Sequence, residues 1–228
     1  MQWEQGEPGI ARPLFRDRIE AGRLLGERLA AHRGSDALVV GIPRGGVAVA
    51  AELARSLEAE LDIVVARKLG APGSVELAIG AVTADGGCFL NTDIVKLLGV
   101  SEPYVQAVTR VQMAEARHRE ETLRSLRPSA KIRKRTVILV DDGLATGATM
   151  RAAVRSVRKE GPARVIVAVP VGSREACAAL AEEADEVVCP HQPVPFGAIG
   201  LYYEHFEPVE DVQVQQLLEA ARAEAVSG

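Results

Sequence analysis

The sequence predicts an α/β fold: a doubly wound, mainly parallel sheet flanked by helices, with a small cap or hood. Two observations carry this expectation. Short apolar runs that end at glycine, proline or a charged loop alternate with segments of helical length, the order of parallel strands joined by crossover helices. The chain of 228 residues is also sized for one domain with a substantial core, carrying at most a modest accessory piece.

The elements follow in order. "LFRDRIEAGRLLGERLAAH" (14–32) sets Phe15, Ile19, Leu25 and Leu29 near helical spacing and reads as an amphipathic helix. "ALVVG" (37–41) is a buried strand ending at glycine, followed by the loop "IPRGG" and the helix "VAVAAELARSLEA". "LDIVVA" (61–66) is a second strand, after which "RKLGAPGS" reads as a Gly/Pro-punctuated loop. "ELAIGAV" and "GCFLN" read as two short strands around the turn "TADGG", a hairpin, and the stretch 69–87 as a lid or as a packed hairpin. Residues 101–129 have the composition of a long exposed helix, supported by the i,i+4 pairs Glu115–Arg119 and Glu120–Arg124.

The doubly wound pattern then returns, with strands at "TVILVD", "ARVIVAVP" and "DEVVCP" and helices at "TMRAAVRSVRKEG" and "REACAALAEEA". An aromatic tail and a final helix close the chain. The expected organisation is a single domain over 1–228, with a helical insertion at 88–130 and a cap or tail segment at 190–228.

Composition bounds the function. A hydrophobic content of 47% with 25% charged residues is ordinary for a soluble globular protein. A net charge of −4 argues against a protein devoted to coating nucleic acid. Cys88, Cys177 and Cys189 are far apart in sequence and odd in number, which suggests reduced thiols rather than a disulfide framework or a zinc site. "MQWEQGEPGIARP" lacks the basic-then-apolar order of a signal peptide, and no run is long enough to span a bilayer. The expected location is cytoplasmic.

The chemistry is concentrated in "VILVDDGLATGATM" (137–150), where an apolar strand runs into two aspartates and then a loop of small residues. In open α/β sheets ligands sit beyond the carboxyl ends of the strands, where Asp141 and Asp142 fall. Gly143, Ala145, Gly147 and Ala148 let a ligand approach the backbone, and Thr146 and Thr149 add hydroxyl donors. The helix that follows offers free N–H groups to an anion such as phosphate. Paired carboxylates suit neighbouring sugar hydroxyls, so a ribose 5-phosphate satisfies both halves of the string. Alone, Asp-Asp-Gly is commonly a turn with one aspartate capping the next helix.

The complete string resembles the phosphoribosyl-pyrophosphate (PRPP) motif of the type I phosphoribosyltransferases. "GIPRGGVAVA" (41–50) resembles that family's pyrophosphate loop and "ARKLGAP" (66–72) its Arg-Lys segment, in the family's order. "ELAIGAV" and "PFGAIGLYYEHF" further resemble a bacterial subgroup of phosphoribosyltransferases whose acceptor is generally unassigned. The resemblance implies a Mg2+-dependent pentosyltransferase of nucleotide metabolism that moves the phosphoribosyl group of PRPP to a nitrogenous acceptor, a nucleobase by analogy, with release of pyrophosphate.

By the same resemblance Asp141 and Asp142 hold the ribose hydroxyls and Ala145, Thr146, Gly147, Ala148 and Thr149 wrap the 5-phosphate. Arg44, Gly45, Arg67 and Lys68 meet the pyrophosphate, with Lys68 counted beside the two acids as catalytic. Magnesium would ride on substrate oxygens, without a dedicated protein cage. Many purine-using members carry an aspartate where this chain has Ala145, which puts hypoxanthine and guanine in doubt and leaves Glu76 as a substitute acid to consider. Phe196, Tyr202, Tyr203 and Phe206 could stack a planar acceptor or simply pack the tail, while His191 and His205 read as structural. The family also implies a homo-oligomer and no membrane association. A competing reading is a PRPP-sensing regulator that binds nucleic acid or a protein, supported by "KIRKR" (131–135) and by Arg151, Arg155 and Arg158 on one helix face.

Overall fold

A computed structural model describes residues 13–125 and 127–227 of the chain. Helix α1 (Arg18–Arg28), capped by the Asp17 carboxylate, leads through a short 3-10 turn into strand β1 (Ala37–Gly41). Helix α2 (Gly45–Leu57) and strand β2 (Glu60–Ile63) follow. Later come β6 (Thr136–Val140), α5 (Ala148–Lys159), β7 (Arg164–Ala168), α6 (Arg174–Ala181), β8 (Glu186–Val188) and α7 (Asp211–Ser227). Strands β1, β2, β6, β7 and β8 form one parallel sheet in the order β2-β1-β6-β7-β8. The expected doubly wound architecture is what the chain adopts.

Burial on both faces explains why these strands are uninterrupted apolar runs, since each face is covered by helices. Val39, Ile138, Val140 and Ile166 pack against Leu53 and Leu57 of α2 and Val214 and Leu218 of α7. On the other face Leu38, Val137, Leu139 and Val167 meet Met150, Val154 and Val157 of α5 and Leu180 of α6. The chain leaves β1 toward β2 with its helix on one face, and leaves β6 toward β7 with its helix on the other. The topological switch point therefore lies between β1 and β6, where Gly41 and Val140 are register partners.

The middle of the chain, between β2 and β6, corrects one expectation. The sequence reads 67–74 as a loop, but Ala66–Ala71 is strand β3, paired antiparallel with β4 (Ser74–Thr83). The cause is tertiary: β4 supplies a partner ladder that overrides the loop-favouring glycines and proline. The hairpin of β4 with β5 (Cys88–Leu90) is as expected and completes a three-stranded sheet. Within residues 69–87, Leu69, Ile79, Ala81 and Val82 are buried and the tip 72–74 is exposed.

Segment 88–130 opens with β5 before turning helical in α3 (Thr92–Leu97) and α4 (Glu102–Arg124). The long helix α4 is not solvated all round. Ala116 and Leu123 are fully buried against the main sheet, and Arg124 pairs with Asp62. Cys88, Cys177 and Cys189 are free thiols.

Candidate functional site at the carboxyl ends of β1 and β6

The loops after β1 and β6 leave the sheet side by side, and each opens a helix. Among the α-helices with a described N-cap, α1, α3, α4 and α6 are closed by the side chains of Asp17, Asn91, Ser101 and Ser173. Helices α2 and α5 begin at Arg44 and Gly147 with no side-chain cap. At α2 the Val47 N–H turns back to the Arg44 carbonyl at 3.1 Å; without side-chain caps, the positive dipole ends of both helices favour an anion there.

The acid pair lies against the start of α2. A side-chain carbon on Gly46 would stand 2.8 Å from Asp141 Cα and 2.8 Å from the Val140 carbonyl oxygen, so only glycine fits. One on Gly45 would stand 2.8 Å from Asp142 Cγ. Asp141 Oδ1 accepts from the Asp142 backbone N–H at 2.9 Å. The Asp142 carboxylate is not left to repel its neighbour: Arg18 Nε of α1 donates to Asp142 Oδ2 at 2.9 Å. Tyr203 Oη donates to the Asp142 backbone carbonyl at 2.6 Å.

Burial pushes the Asp141 carboxyl well above the ordinary carboxylate range, and the charge of Asp142 pushes the same way. Asp142 is also raised by burial, but Arg18 opposes the shift. Burial, reinforced by Asp142, likewise raises the Tyr203 phenol. The two acids therefore differ: Asp142 is tied into the protein through a cation, whereas Asp141 is the more readily protonated member.

The small-residue loop is held from behind. Leu144 N–H donates to the Val171 carbonyl at 2.9 Å and Ser173 Oγ to the Ala145 carbonyl at 2.7 Å. Gly147 adopts φ 75°, which turns the chain into α5. Ala145 and Thr146 are exposed, Thr149 is partly so, and Gly147 and Ala148 are buried. A loop anchored at Leu144 and at the Ala145 carbonyl can turn the N–H groups that follow toward a phosphate.

The basic residues are not brought together. Arg44 Nη1 lies 3.8 Å from both Glu210 Oε2 and Asp211 Oδ1 at the start of α7. Arg67 and Lys68 are neighbours on β3 and so point to opposite faces of its sheet. Arg67 Nε donates to Gln112 Oε1 of α4 at 3.2 Å. Lys68 is exposed, and its cross-strand partner Ala81 packs with Ala148 and Ala152 of α5. Of the two, Lys68 is the one on the face turned to the small-residue loop. The side chain of Glu76 lies outside the described residues.

Tyr202 and Tyr203 are buried in a cluster with Phe15 and Val171, flanked by Phe196, Ile199 and Phe206. Most of the aromatic tail thus packs onto α1 and the acid loop. His191 stacks edge-on against Phe15. Sequence reasoning missed Arg18 and the Tyr203 hydroxyl. Arg18 is separated from Asp142 by 124 positions, and in sequence it looks like one more charge on an amphipathic helix. Among the described residues no helix is long and apolar enough to cross a membrane.

Comparison with known proteins places the chain in a family. The phosphoribosyl transferase domain family matches residues 17–204. The Mycobacterium tuberculosis protein named "Putative phosphoribosyl transferase Rv0571c" is 44% identical over 208 residues, 91% of this chain and 47% of that protein. The protein of the same description, MT0597, from a second strain matches equally. The chain thus spans about half the length of the curated relatives it matches. The crystal structure of TT1426 from Thermus thermophilus is similar with a TM-score of 0.76 at 46% identity, covering 90% of this chain and 97% of that one. The family match extends over most of the chain and takes in both helix starts and the acid pair, and the chain belongs to the phosphoribosyl transferase domain family.

Proposed function

We propose that the protein is a phosphoribosyltransferase that moves the phosphoribosyl group of PRPP to a nitrogenous acceptor and releases pyrophosphate. The observation that carries the reading is the pair of uncapped helix starts, α2 and α5, flanking Asp141 and Asp142 at the switch point of the sheet. A diphosphate and a phosphate joined by a ribose have the charge and hydroxyls that this arrangement leaves unmatched.

In this reading Ala145, Thr146, Gly147, Ala148 and Thr149 hold the 5-phosphate, and Asp141 with Asp142 holds the ribose hydroxyls. Arg44 and the N–H groups at Gly45 receive the pyrophosphate, with Lys68 reaching from β3. The bond from the anomeric carbon to pyrophosphate oxygen breaks, and the electron pair leaves with pyrophosphate. The acceptor nitrogen supplies the pair for the new bond and gives up its proton, which the departing pyrophosphate can take. Positive charge grows on the sugar beside two carboxyl groups while negative charge grows toward Arg44 and the α2 start, so positioned charge carries the catalysis. Carboxylate and substrate oxygens are hard donors that fit Mg2+, and Asp141 and Asp142 would fix the hydroxyls beside such an ion. When bound, the ion would supply charge neutralisation of the leaving group.

The arginines that favoured a nucleic-acid-binding regulator support that reading less once their partners are known. Arg151 and Arg155 pair with Glu183 and Arg158 with Asp185, which cancels much of the field a phosphate backbone would need. Turnover with PRPP and magnesium across a panel of nucleobases, followed by pyrophosphate release, tests the proposal. Release that depends on one base supports the enzyme, and PRPP binding without release on any base would favour a sensor.

A further inference from the structure

We infer that Arg18 is a positioning residue for the phosphoribosyl site: it holds the Asp142 carboxylate in place beside Asp141, so that the pair is set to meet the ligand. The inference rests on the function proposed above and assigns a role to a residue outside the loops that suggested it.

Three contacts fix the guanidinium. Its Nε donates to Asp142 Oδ2 at 2.9 Å, and its Nη1 donates to the Glu207 carbonyl at 3.0 Å. Its central carbon stands 3.9 Å over the Phe206 ring, which itself stacks on Tyr203 with centroids 4.9 Å apart. A side-chain carbon on Gly45 would come within 3.0 Å of Arg18 Nε, so the group also borders the start of α2. The Arg18 and Asp142 side chains are only 11% and 13% exposed, so this pair, like Arg124–Asp62, is enclosed where most of the other ion pairs are screened by water. A charged pair this enclosed loses far more when one partner is removed than an exposed pair does.

The arrangement joins three parts of the chain at one carboxylate. Helix α1 supplies the cation, the aromatic tail supplies the ring and carbonyl that hold it, and Tyr203 fixes the backbone of Asp142 from the same side. Asp142 Oδ2 is thereby directed at α1, while Asp141 Oδ1 is met by the backbone N–H of its neighbour. Arginine suits the task better than lysine, because its planar group can stack on Phe206 while donating in two directions.

The test measures ribose 5-phosphate and PRPP affinity by calorimetry, and KM and kcat where turnover is found. The panel is wild type, Arg18→Gln, Arg18→Lys, Asp142→Asn and the double variant R18Q/D142N, with melting temperatures alongside. Arg18→Gln is expected to weaken ribose 5-phosphate binding about tenfold and to raise KM for PRPP more than it lowers kcat. Arg18→Lys recovers part of that loss. The double variant binds no worse than Asp142→Asn alone, since Arg18 acts through that carboxylate. Additive losses, or a lowered melting temperature with unchanged affinity, would overturn the inference. If Arg18→Gln does not fold, Arg18→Lys decides: affinity equal to wild type in that folded variant overturns it as well. Wild-type protein that binds neither ligand would overturn the proposed function itself, a result distinct from variants that bind as well as wild type.

Discussion

The starts of α2 and α5 solve one problem by two routes. Both sit at the carboxyl ends of neighbouring strands, and both lack a side-chain cap. At α2 the constraint is space: Gly46 lies against the backbone of Val140 and Asp141, and any side-chain carbon would collide with it. At α5 the constraint is backbone conformation: Gly147 sits at φ 75°, and a side-chain carbon there would meet only ordinary contacts, the nearest 3.4 Å away on Ala176. The first start is a wall against which the acids are packed; the second is an open turn with Ala145 and Thr146 exposed. Two loops rich in small residues thus carry glycine for different reasons, and substitution separates the reasons.

Breaking the α2 side should have the largest effect. Gly46→Ala forces the strand end and the helix apart, and we expect a loss of about 2–3 kcal/mol of stability from overpacking against rigid backbone. For a chain of this size that lowers the melting temperature by roughly 5–10 °C. Gly147→Ala should cost about 1 kcal/mol, because it places a β-carbon in the left-handed region. A calorimetric scan of both variants checks the order, and equal losses would mean that the α2 start is not sterically closed.

The acids test the next level, because they belong to the wall and, in the proposed function, face the ligand. Replacing Asp141 by asparagine should weaken ribose 5-phosphate binding by about 1–2 kcal/mol, as an ionised acceptor gives way to an amide. Asp142→Asn also strips Arg18 of its partner, so it should lower the melting temperature where Asp141→Asn does not. Titration calorimetry paired with thermal melts separates the two outcomes. A pair serving only as a turn and helix cap would leave affinity untouched in both variants.

What the sequence made legible was local. The run from Thr136 to Met150 carries strand, acids, turn glycine and helix start within fifteen consecutive positions, so periodicity and turn chemistry expose all of them. Strand β3 was hidden because Gly70, Pro72 and Gly73 dominate its local preference, and only pairing with β4 makes it a strand. That pairing also decides that Arg67 and Lys68 face apart, which no reading of two adjacent letters as a loop could reveal. The partner of Asp142 was illegible for a related reason: α1 and β6 are distant in sequence, and nothing about an arginine on a helix announces which carboxylate it will meet. The aromatic tail lay between these cases. Its composition showed that it would cover something, and the structure places Tyr203 over the backbone of Asp142.

The smallest expected effect concerns the pH dependence of the unliganded fold. Burial and Asp142 raise the Asp141 carboxyl above its ordinary value, so the folded chain holds a proton there that the unfolded chain gives up. The stabilising contribution is therefore fully present below the unfolded value near 3.8 and is lost as pH rises through the raised folded value. Above that window the ionised, buried acid is a net cost to the folded state. Asp141→Asn removes the titration while keeping the shape. Urea midpoints at several pH values should show wild type losing stability relative to Asp141→Asn as pH rises from about 4 toward neutral, with the variant the more stable at about pH 7. The same substitution that weakens the ligand would then strengthen the empty fold, as expected if the acid is kept for its ligand and not for packing. A variant that is less stable than wild type at neutral pH would mean that Asp141 contributes more to the wall through its hydrogen bond to the Asp142 N–H than its buried charge removes.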